Sequence, residues 1–256
     1  MIDPRAVVHI NAELADDVKI GPFSVIGPDV QIDSGTEIGP HVVIKGPTAI
    51  GKDNVIYQFT SIGEDPQDKK YADEITRLEI GDRNVIREFC TMHRGTAQDQ
   101  GLTLIGSDNL FMAYTHVAHD CEIGDHVIMA NGASIAGHVH LGDHAILGGF
   151  TLVHQFTQIG EYSFSAMGSA ITQDIPPYVM VGGRPTRPHG INSVGMERNG
   201  VPPEVIRQIR KAYKILYKNN LRLEDAIEEM EDMAGESNEL SNMVSFLRNV
   251  TRGILR

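Results

Sequence analysis

The sequence predicts a mainly β protein, in which a parallel β-helix shaped as a triangular prism is followed by a small all-α C-terminal domain. Three observations support this prediction: aliphatic residues recur every six positions, glycine is abundant (26 of 256 residues) while tryptophan is absent, and the C-terminal part changes to a helical period. A fixed short repeat is typical of a solenoid. Three six-residue units close one triangular coil, so residues eighteen apart stack at about 4.8 Å, the spacing of neighbouring strands.

The repeat begins at the N-terminus and keeps one phase through its first eleven aliphatic positions. This excludes an amphipathic helix, whose period is about 3.6 residues, and a single long strand, whose period is about 2. Glycines that follow several of these residues supply turn conformations that other residues resist. The positions are Ile2, Val8, Leu14, Ile20, Ile26, Ile32, Ile38, Ile44, Ile50, Ile56 and Ile62.

Two interruptions divide the repeat. A polar, charged stretch of about residues 64–77 lacks the six-residue period, and the old phase then resumes. We expect a loop at one corner of the prism, because long loops on rigid scaffolds are commonly functional; a tolerated surface insertion is the alternative. A second interruption covers about residues 97–104, after which the repeat returns one residue out of phase, from Ile105 to Ile171.

Small residues occupy the second inward position of each repeat unit in the later run. Cys90 and Cys121 both fall on such positions, which favours buried reduced thiols over a disulfide or a metal pair. The inward residues are Cys121, Val127, Ala133, Val139, Ala145, Thr151 and Thr157.

The prism is predicted to span residues 1–185, and the linker with the helical domain residues 186–256. Proline and glycine are dense in the connecting segment, and Pro202-Pro203 suits a first helical turn. The helical domain would cover one end of the prism, where unpaired strand edges otherwise invite aggregation. The predicted helices run from Pro203 to Asn219-Asn220, from about Leu223 to Ala234, and from about Leu240 to Asn249.

The net charge of −12 argues against general nucleic-acid binding, which needs a basic face. No apolar run is long enough to predict membrane insertion, and the first residues lack the apolar core of a signal peptide. These features predict a cytoplasmic protein. An anionic substrate would need a local basic patch, and two dense regions are candidates, although solvated faces are the simpler interpretation. They comprise Lys69, Lys70, Arg77, Arg83, Arg87, His93 and Arg94 in one, and Arg207, Arg210, Lys211 and Lys214 in the other.

Histidines provide the candidate chemistry. The eighteen-residue coil places His119, Gly137 and Gln155 in one stacked column, with Asp120 and His138 in the next. Gly137 leaves room beside His119. Two alternatives stay open: polar surface residues of a β-helix, and a zinc site of the kind that γ-class carbonic anhydrases build from three histidines. His154 lies in the preceding column and belongs to the same cluster.

The chain resembles the UDP-N-acetylglucosamine 3-O-acyltransferases of the hexapeptide-repeat acyltransferase family over essentially all of its 256 residues. Sister hexapeptide acyltransferases share the repeat but not this set of motifs. The motifs are Ile56-Tyr57-Gln58-Phe59, Gln67-Asp68-Lys69-Lys70-Tyr71, Met92-His93-Arg94-Gly95-Thr96, His116-Val117-Ala118-His119-Asp120, Ala136-Gly137-His138-Val139, Val153-His154-Gln155-Phe156 and Thr251-Arg252-Gly253.

This resemblance implies a homotrimer of left-handed β-helices with active sites in clefts between subunits. The implied reaction moves a 3-hydroxyacyl group from acyl carrier protein to the 3-hydroxyl of UDP-N-acetylglucosamine, the first step of lipid A biosynthesis. It implies no cofactor, no metal and no acyl-enzyme. A metal-dependent β-helix enzyme and a non-catalytic scaffold are the alternatives.

The resemblance also implies residue roles. His119 matches the general base, a task that suits a neutral imidazole. Asp120 would support its charged form, although neighbours on a strand point to opposite faces, and the Gly137 N–H would stabilise the oxyanion. Substrate contacts are implied for Asp68, Lys70, His116, His138, His154, Gln155, Asn192 and Arg198. Two positions depart from relatives: Val194 replaces a Glu, and Asn199 replaces a second Arg.

Two further roles concern the acyl donor. The basic residues Arg207, Arg210, Lys211 and Lys214 are predicted to dock acyl carrier protein, which is acidic. Met167 stands where relatives that use long acyl chains carry Gly, so it is predicted to act as a chain-length ruler. A Met side chain there would exclude the last methylenes, each worth about 0.8 kcal/mol of burial, and favour a donor of around ten carbons.

Overall fold

A computed structural model describes residues 1–235 and 237–256. The described residues form a left-handed parallel β-helix of 27 short strands, followed by four helices. The strands are β1 Val7–Val8, β2 Glu13–Leu14, β3 Lys19–Ile20, β4 Val25–Ile26, β5 Val30–Ile32, β6 Glu37–Ile38, β7 Val43–Ile44, β8 Thr48–Ile50, β9 Val55–Ile56, β10 Ser61–Glu64, β11 Arg77–Ile80, β12 Val85–Ile86, β13 Thr91–His93, β14 Leu102–Ile105, β15 Leu110–Phe111, β16 His116–Val117, β17 Glu122–Ile123, β18 Ile128–Met129, β19 Ser134–Ile135, β20 His140–Leu141, β21 Ile146–Leu147, β22 Leu152–Val153, β23 Gln158–Ile159, β24 Phe164–Ser165, β25 Ala170–Ile171, β26 Val179–Gly182 and β27 Arg187–Ile191. The helices are α1 Ser193–Arg198, α2 Pro203–Lys218, α3 Leu223–Ala234 and α4 Asn238–Arg248.

Up to β25, every third strand belongs to the same face of the prism. The nine-stranded sheet has the order β1-β4-β7-β10-β13-β16-β19-β22-β25, and the eight-stranded sheet runs β2-β5-β8-β11-β14-β17-β20-β23. The ten-stranded sheet has the order β27-β26-β24-β21-β18-β15-β12-β9-β6-β3. All described pairs are parallel except β26 with β27, which is antiparallel. The predicted fold class is confirmed.

The six-residue period forms the core. The aliphatic residue that ends a typical strand, such as Ile44, Ile86 or Ile135, is fully buried inside the prism. The residue before it points outward, as the two-residue alternation of a strand requires. Cys90 and Cys121 are buried and free, as predicted.

The two interruptions are extra residues in otherwise eighteen-residue coils. Stacked residues are 18 apart in a regular coil, 30 apart across the first interruption and 25 apart across the second. The first interruption therefore adds twelve residues (30 − 18), which is two repeat units and preserves the phase. The second adds seven (25 − 18), which explains the shift of one residue. The second interruption lies at residues 94–101, a few residues before its predicted position of about 97–104.

Both interruptions lie at the corner where the nine-stranded sheet passes into the eight-stranded sheet, which we call the site corner. The corner where the ten-stranded sheet passes into the nine-stranded sheet carries a ladder of aromatic rings, and we call it the aromatic corner. Successive rings stack at centroid distances of 4.8–5.3 Å. The ladder consists of Phe23, His41, Phe59, Phe89 and Tyr114.

The helical domain covers the C-terminal end of the prism. Strand β27 forms the edge of the ten-stranded sheet and packs against α2, and the chain's last residues return to the prism through a bridge between Asp174 and Ile254. The predicted boundary near residue 185 falls in the turn between β26 and β27. Three of the four helices match their predictions, and the short helix α1 was not predicted.

No helix among the described residues combines the length and the apolar composition that crossing a membrane requires.

Candidate active site

His119 and Asp120 form a hydrogen-bonded pair at the site corner, just after β16. His119 Nδ1 lies 2.8 Å from Asp120 Oδ2, and the side chains are 13% and 1% exposed. Adjacent residues on a strand would point apart, but these two occupy the corner turn, where Asp120 has a φ of 57°. The left-handed conformation turns its carboxylate back toward the imidazole. The sequence-based objection to this contact was therefore wrong.

The Asp120 carboxylate is held ionised. Burial alone would raise its pKa, but hydrogen bonds from His119 and Thr96 and the nearby His138 together lower the pKa below its ordinary value. An ionised carboxylate accepts a proton-bearing nitrogen, so Nδ1 of His119 carries the hydrogen. Nε2 is then the nitrogen that can take up a proton.

Gly137 lies against the His119 ring in the next coil. A Cβ at this position would stand 2.5 Å from His119 Cε1 and 2.8 Å from His119 Nε2. Both distances are shorter than a Cβ normally keeps from non-bonded atoms. A side chain at residue 137 would therefore displace the imidazole. The Gly137 N–H has no hydrogen-bond partner among the described residues, so this donor is available beside the ring.

His138 is the second imidazole of the cluster. Its Nδ1 lies 2.7 Å from Asp99 Oδ2, and its Nε2 lies 3.8 Å from Asp120 Oδ2. The ring stacks on Phe156 at 4.3 Å between centroids. His138 is thus held between two carboxylates and an aromatic face.

His116 stands on the nine-stranded sheet beside this cluster. Its Nδ1 lies 2.7 Å from Thr91 Oγ1, and its ring meets the buried His93 edge-on at 5.1 Å. Burial, together with the neighbouring His93 and His119, lowers the pKa of His116 to about 4. Burial also lowers the pKa of His93. Both imidazoles are neutral near pH 7.

Asp68 and Lys70 lie in the loop 65–76, which leaves the site corner two coils before His119. Lys70 is exposed, and its backbone N–H donates to Asp68 Oδ1 at 3.0 Å. His154 and Gln155 occupy the same corner two coils after His119 and are both exposed. These four predicted substrate residues therefore follow one edge of the prism.

Asn192 and Arg198 lie at the two ends of helix α1. The Asn192 carboxamide accepts the Gly195 N–H at 3.0 Å and donates to the Tyr162 carbonyl at 2.9 Å, so it caps the helix. Arg198, the last helical residue, is exposed. Val194 is exposed, and Asn199 forms the helix C-cap.

The structure does not bring Met167 to the His119 cluster within one chain. Met167 lies at the aromatic corner and is 79% exposed, at the opposite edge of the nine-stranded sheet from the site corner. Its predicted stacking with Gly149 is confirmed by the register of β21 and β24 and by the Gly168 N–H to Gly149 carbonyl bond of 2.8 Å.

The predicted docking residues are grouped on helix α2. All four are exposed, and the described residues provide them with no ion-pair partner. Their spacing of three or four places them on one side of the helix. They are Arg207, Arg210, Lys211 and Lys214.

Sequence reasoning missed Thr96 and Asp99 because both lie in an interruption without periodicity. Thr96 is fully buried and donates its N–H and its hydroxyl to Asp120, each at 2.7 Å. The signal that indicates Thr96 is the motif Met92-His93-Arg94-Gly95-Thr96, which is one of the motifs that carry the family resemblance.

One group of potential metal ligands is present among the described residues. Ligand atoms of His119, Asp120 and His138 lie within 4.8 Å of one another. The Asp120 oxygens, however, already accept three hydrogen bonds, from Thr96 N, Thr96 Oγ1 and His119 Nδ1. This group also contains two histidines, whereas the zinc site of the γ-class carbonic anhydrases is built from three.

Comparisons with known proteins extend over the prism and the helical domain. A family model described as UDP N-acetylglucosamine O-acyltransferase, domain 2, matches residues 174–255, and a bacterial transferase hexapeptide (six repeats) model matches residues 11–46 and 103–137. The chain is 56% identical over 255 residues to the acyl-[acyl-carrier-protein]–UDP-N-acetylglucosamine O-acyltransferase of Alkalilimnicola ehrlichii, covering 100% of this chain and 99% of the relative.

Two solved structures superpose on nearly the whole chain. LpxA from Acinetobacter baumannii has a TM-score of 0.97 at 46% identity, covering 100% of this chain and 99% of that one. The UDP-N-acetylglucosamine acyltransferase of Francisella novicida has a TM-score of 0.98 at 43% identity, covering 100% and 94%.

Proposed function

The chain belongs to the family of acyl-[acyl-carrier-protein]–UDP-N-acetylglucosamine O-acyltransferases, and we propose that it transfers a 3-hydroxyacyl group from acyl carrier protein to the 3-hydroxyl of UDP-N-acetylglucosamine. This would be the first step of lipid A biosynthesis. The observation that carries the proposal is the His119–Asp120 pair beside Gly137, whose N–H has no partner within the described part of the chain.

The proton transfer starts at His119. With Asp120 accepting the Nδ1 hydrogen, Nε2 takes the proton from the sugar hydroxyl as its oxygen attacks the thioester carbonyl. The C–S bond then breaks, and the imidazolium returns the proton to the departing thiolate. A positioned base of this kind accelerates a reaction by roughly 10²–10⁴-fold.

The developing oxyanion is stabilised by the Gly137 N–H. A backbone donor costs no reorganisation during the reaction, and its effect is largest in a site shielded from water. Gly137 has two roles in this proposal: its missing side chain makes room for the His119 ring, and its N–H has no hydrogen-bond partner among the described residues.

The sugar nucleotide binds along the site corner. Asp68 and Lys70 contact it from the loop 65–76, while His116 and His138 contact it from the coils beside His119. His154 and Gln155 extend the groove toward the acyl donor. Arg198 provides a cation for the nucleotide, and Asn192 acts through the α1 cap that holds Arg198 in place.

The assembly is a homotrimer that closes each groove with a second copy. The eight-stranded sheet has a charged outer surface, with a His140–Glu122 pair at 3.0 Å, whereas the outward residues of the ten-stranded sheet are apolar from β9 to β24. Exposed rings lie at the aromatic corner, where the ten-stranded sheet meets the nine-stranded sheet. The outward apolar residues of the ten-stranded sheet include Val55, Val85, Leu110, Ile128, Ile146 and Phe164.

Acyl carrier protein docks on the basic side of α2, and Met167 ends the acyl groove at about ten carbons. A groove from His119 to Met167 would cross the outer face of the nine-stranded sheet, where Leu152 is 57% exposed. A neighbouring copy would shield that face from water.

The location of the protein in the cytoplasm remains a prediction.

A metal-dependent activity is the second candidate, favoured only by the closeness of His119, Asp120 and His138. Elemental analysis of the purified protein separates the two. Stoichiometric zinc whose removal abolishes activity would favour the metal enzyme.

The deciding experiment incubates the protein with UDP-N-acetylglucosamine and 3-hydroxyacyl carrier proteins of ten, twelve and fourteen carbons, with mass detection of the product. We expect a 3-O-acylated sugar nucleotide. Absence of product with all donors, from protein of the expected trimer mass, would contradict the proposed function.

A further inference from the structure

The segment His93-Arg94-Gly95-Thr96 reaches two parts of the proposed site from one short stretch of backbone. It leaves β13 at the site corner, where the second interruption begins. The Arg94 side chain is directed to the loop 65–76, and the Thr96 side chain to Asp120. None of the roles proposed above uses this segment.

Arg94 holds the loop. Its guanidinium is buried (the residue is 7% exposed) and donates to Tyr71 Oη at 3.1 Å, to the Asp65 carboxylate and to the Gly46 carbonyl. Asp65 and Tyr71 lie on either side of Asp68 and Lys70. A planar fork with five N–H donors suits several acceptors at once, which an ammonium group does not match.

Thr96 holds the base. Its N–H donates to Asp120 Oδ1 and its hydroxyl to Oδ2, and the same Oδ2 accepts His119 Nδ1. Two donors on one carboxylate fix the plane of that group. The direction of the hydrogen bond to His119, and so the orientation of the imidazole, follows from that plane.

The backbone between them is equally constrained. Arg94 N–H donates to the Glu64 carbonyl and Gly95 N–H to the Arg77 carbonyl, each at 3.2 Å, so the segment joins both ends of the loop 65–76. A Cβ on Gly95 would stand 2.2 Å from Leu102 N. The segment therefore links the loop and the base through one rigid connection.

We propose that residues 93–96 are a positioning element for both halves of the reaction: Arg94 sets the loop 65–76 for the sugar nucleotide, and Thr96 sets the His119–Asp120 pair for proton transfer. The proposal rests on the proposed function for its substrates. Neither residue touches the reacting atoms. Because Arg94 contacts the loop and Thr96 contacts Asp120, substitutions at the two positions should have separable kinetic effects.

The Arg94 arm compares Arg94→Lys and Arg94→Met with the parent. We expect the KM for UDP-N-acetylglucosamine to rise by about 10-fold, with kcat within about twofold, because the loop loses its set position. Trypsin should also cleave after the exposed Lys69 and Lys70 several times faster. Arg83→Lys is the matched control, since Arg83 makes a two-bond pair with Asp108 at another corner.

The rate of cleavage by trypsin is measured without the sugar nucleotide or the acyl donor. It therefore tests the role of Arg94 even if the parent shows no acyl transfer. Cleavage rates and KM values equal to those of Arg83→Lys would overturn the role of Arg94.

The Thr96 arm compares two conservative variants. Thr96→Val keeps the shape and the N–H but removes the hydroxyl, and we expect kcat to fall by about 10-fold with an unchanged KM for the sugar nucleotide. Thr96→Ser restores the hydroxyl and should recover turnover to within about twofold. A purely structural role would instead lower the thermal midpoint and move both constants together, and equal turnover in the two variants would exclude the role of the hydroxyl.

Discussion

The contact between His119 and Asp120 depends on the backbone of a single residue. The eighteen-residue period predicted which residues stack, but it gave no information on neighbours in the chain, for which strand alternation indicated opposite faces. The corner conformation of Asp120 reverses that expectation. Positive φ is uncommon for residues other than Gly, with Asn, Asp and His the most tolerant, so the residue type was a signal that could have been used.

Among single substitutions, the loss of His119 should reduce activity the most. We expect His119→Ala to lower kcat by roughly 10²–10⁴-fold, since the sugar hydroxyl loses its base, while the native mass and thermal midpoint stay close to those of the parent. Steady-state assays with the preferred acyl donor measure the effect. His126→Ala, at a different corner, is the control, and turnover of His119→Ala near the parent value would remove the base from this position.

His116 should make stability depend on pH. Its folded pKa of about 4 lies below the unfolded value of about 6.5, so between these values the unfolded chain binds a proton that the folded chain does not. The free energy of unfolding therefore falls as pH drops through that window. This stabilisation is present above the unfolded pKa and is lost toward the folded pKa.

Urea unfolding at pH 7 and pH 5 measures this effect. We expect His116→Gln to remove about 2 kcal/mol of the decrease in unfolding free energy between those pH values. His140→Gln, which changes an exposed imidazole on the eight-stranded sheet, is the control. Equal decreases in the parent and in His116→Gln would show that His116 does not titrate in this way.

At the scale of elements, helix α2 combines a buried apolar side with an exposed basic side. Ile206, Ile209 and Leu216 pack inward, so the residues between them are left to solvent. The period of 3.6 residues was enough to predict this helix and its end at Asn219. Helix α1 was missed because it has only six residues and one buried side chain, Met196, too few to establish a period.

The basic side of α2 should determine how well the enzyme binds the acyl carrier protein substrate. Arg210→Glu with Lys211→Glu should raise the KM for the acyl carrier protein substrate several-fold and flatten its dependence on salt, because electrostatic steering weakens as ionic strength rises. Initial rates between low and high salt measure this. Lys52→Glu provides a charge reversal elsewhere, and an unchanged donor KM in the double variant would place the docking surface on another element.

At the scale of the whole molecule, the period predicted the prism because it defines both the coil and its inward residues. It could not predict how the interruptions fold back on the site. The contacts of Thr96 and Asp99 with the histidine cluster join residues 24 and 39 positions apart in sequence, and no repeat relates them.

The proposed trimer should be visible in solution. We expect native mass measurement to give three copies, held by the apolar outer face of the ten-stranded sheet and the exposed rings of the aromatic corner. Phe150, which is 68% exposed, is the position to change: Phe150→Asp should shift the equilibrium toward monomer. The exposed Lys52→Glu should leave the mass unchanged. A parent protein that runs as a monomer at micromolar concentration would contradict the assembly.

In the proposed trimer, the groove between copies should determine the preferred length of the acyl chain. We expect the parent to favour a donor of about ten carbons and Met167→Gly to shift the preference toward fourteen, since each admitted methylene adds about 0.8 kcal/mol of burial. Competition between the two donors in one reaction, read by mass, measures the ratio. A parent that already prefers fourteen carbons, or a ratio that the substitution leaves unmoved, would place the ruler at another residue.

The triangular section also governs how the prism ends. At the N-terminal end of the described prism, β1 and β2 are the last strands of two sheets, and β3 of the third is followed only by a single bridge from Ile20 to Ile2. An open sheet offers an incoming strand one continuous line of hydrogen-bonding groups, but here that line is broken into three short pieces that face in different directions. A foreign chain could satisfy one piece only by leaving the other two unpaired. End-to-end growth would require another prism in matching rotation, which makes random strand addition unfavourable at the one end that the helices leave uncovered.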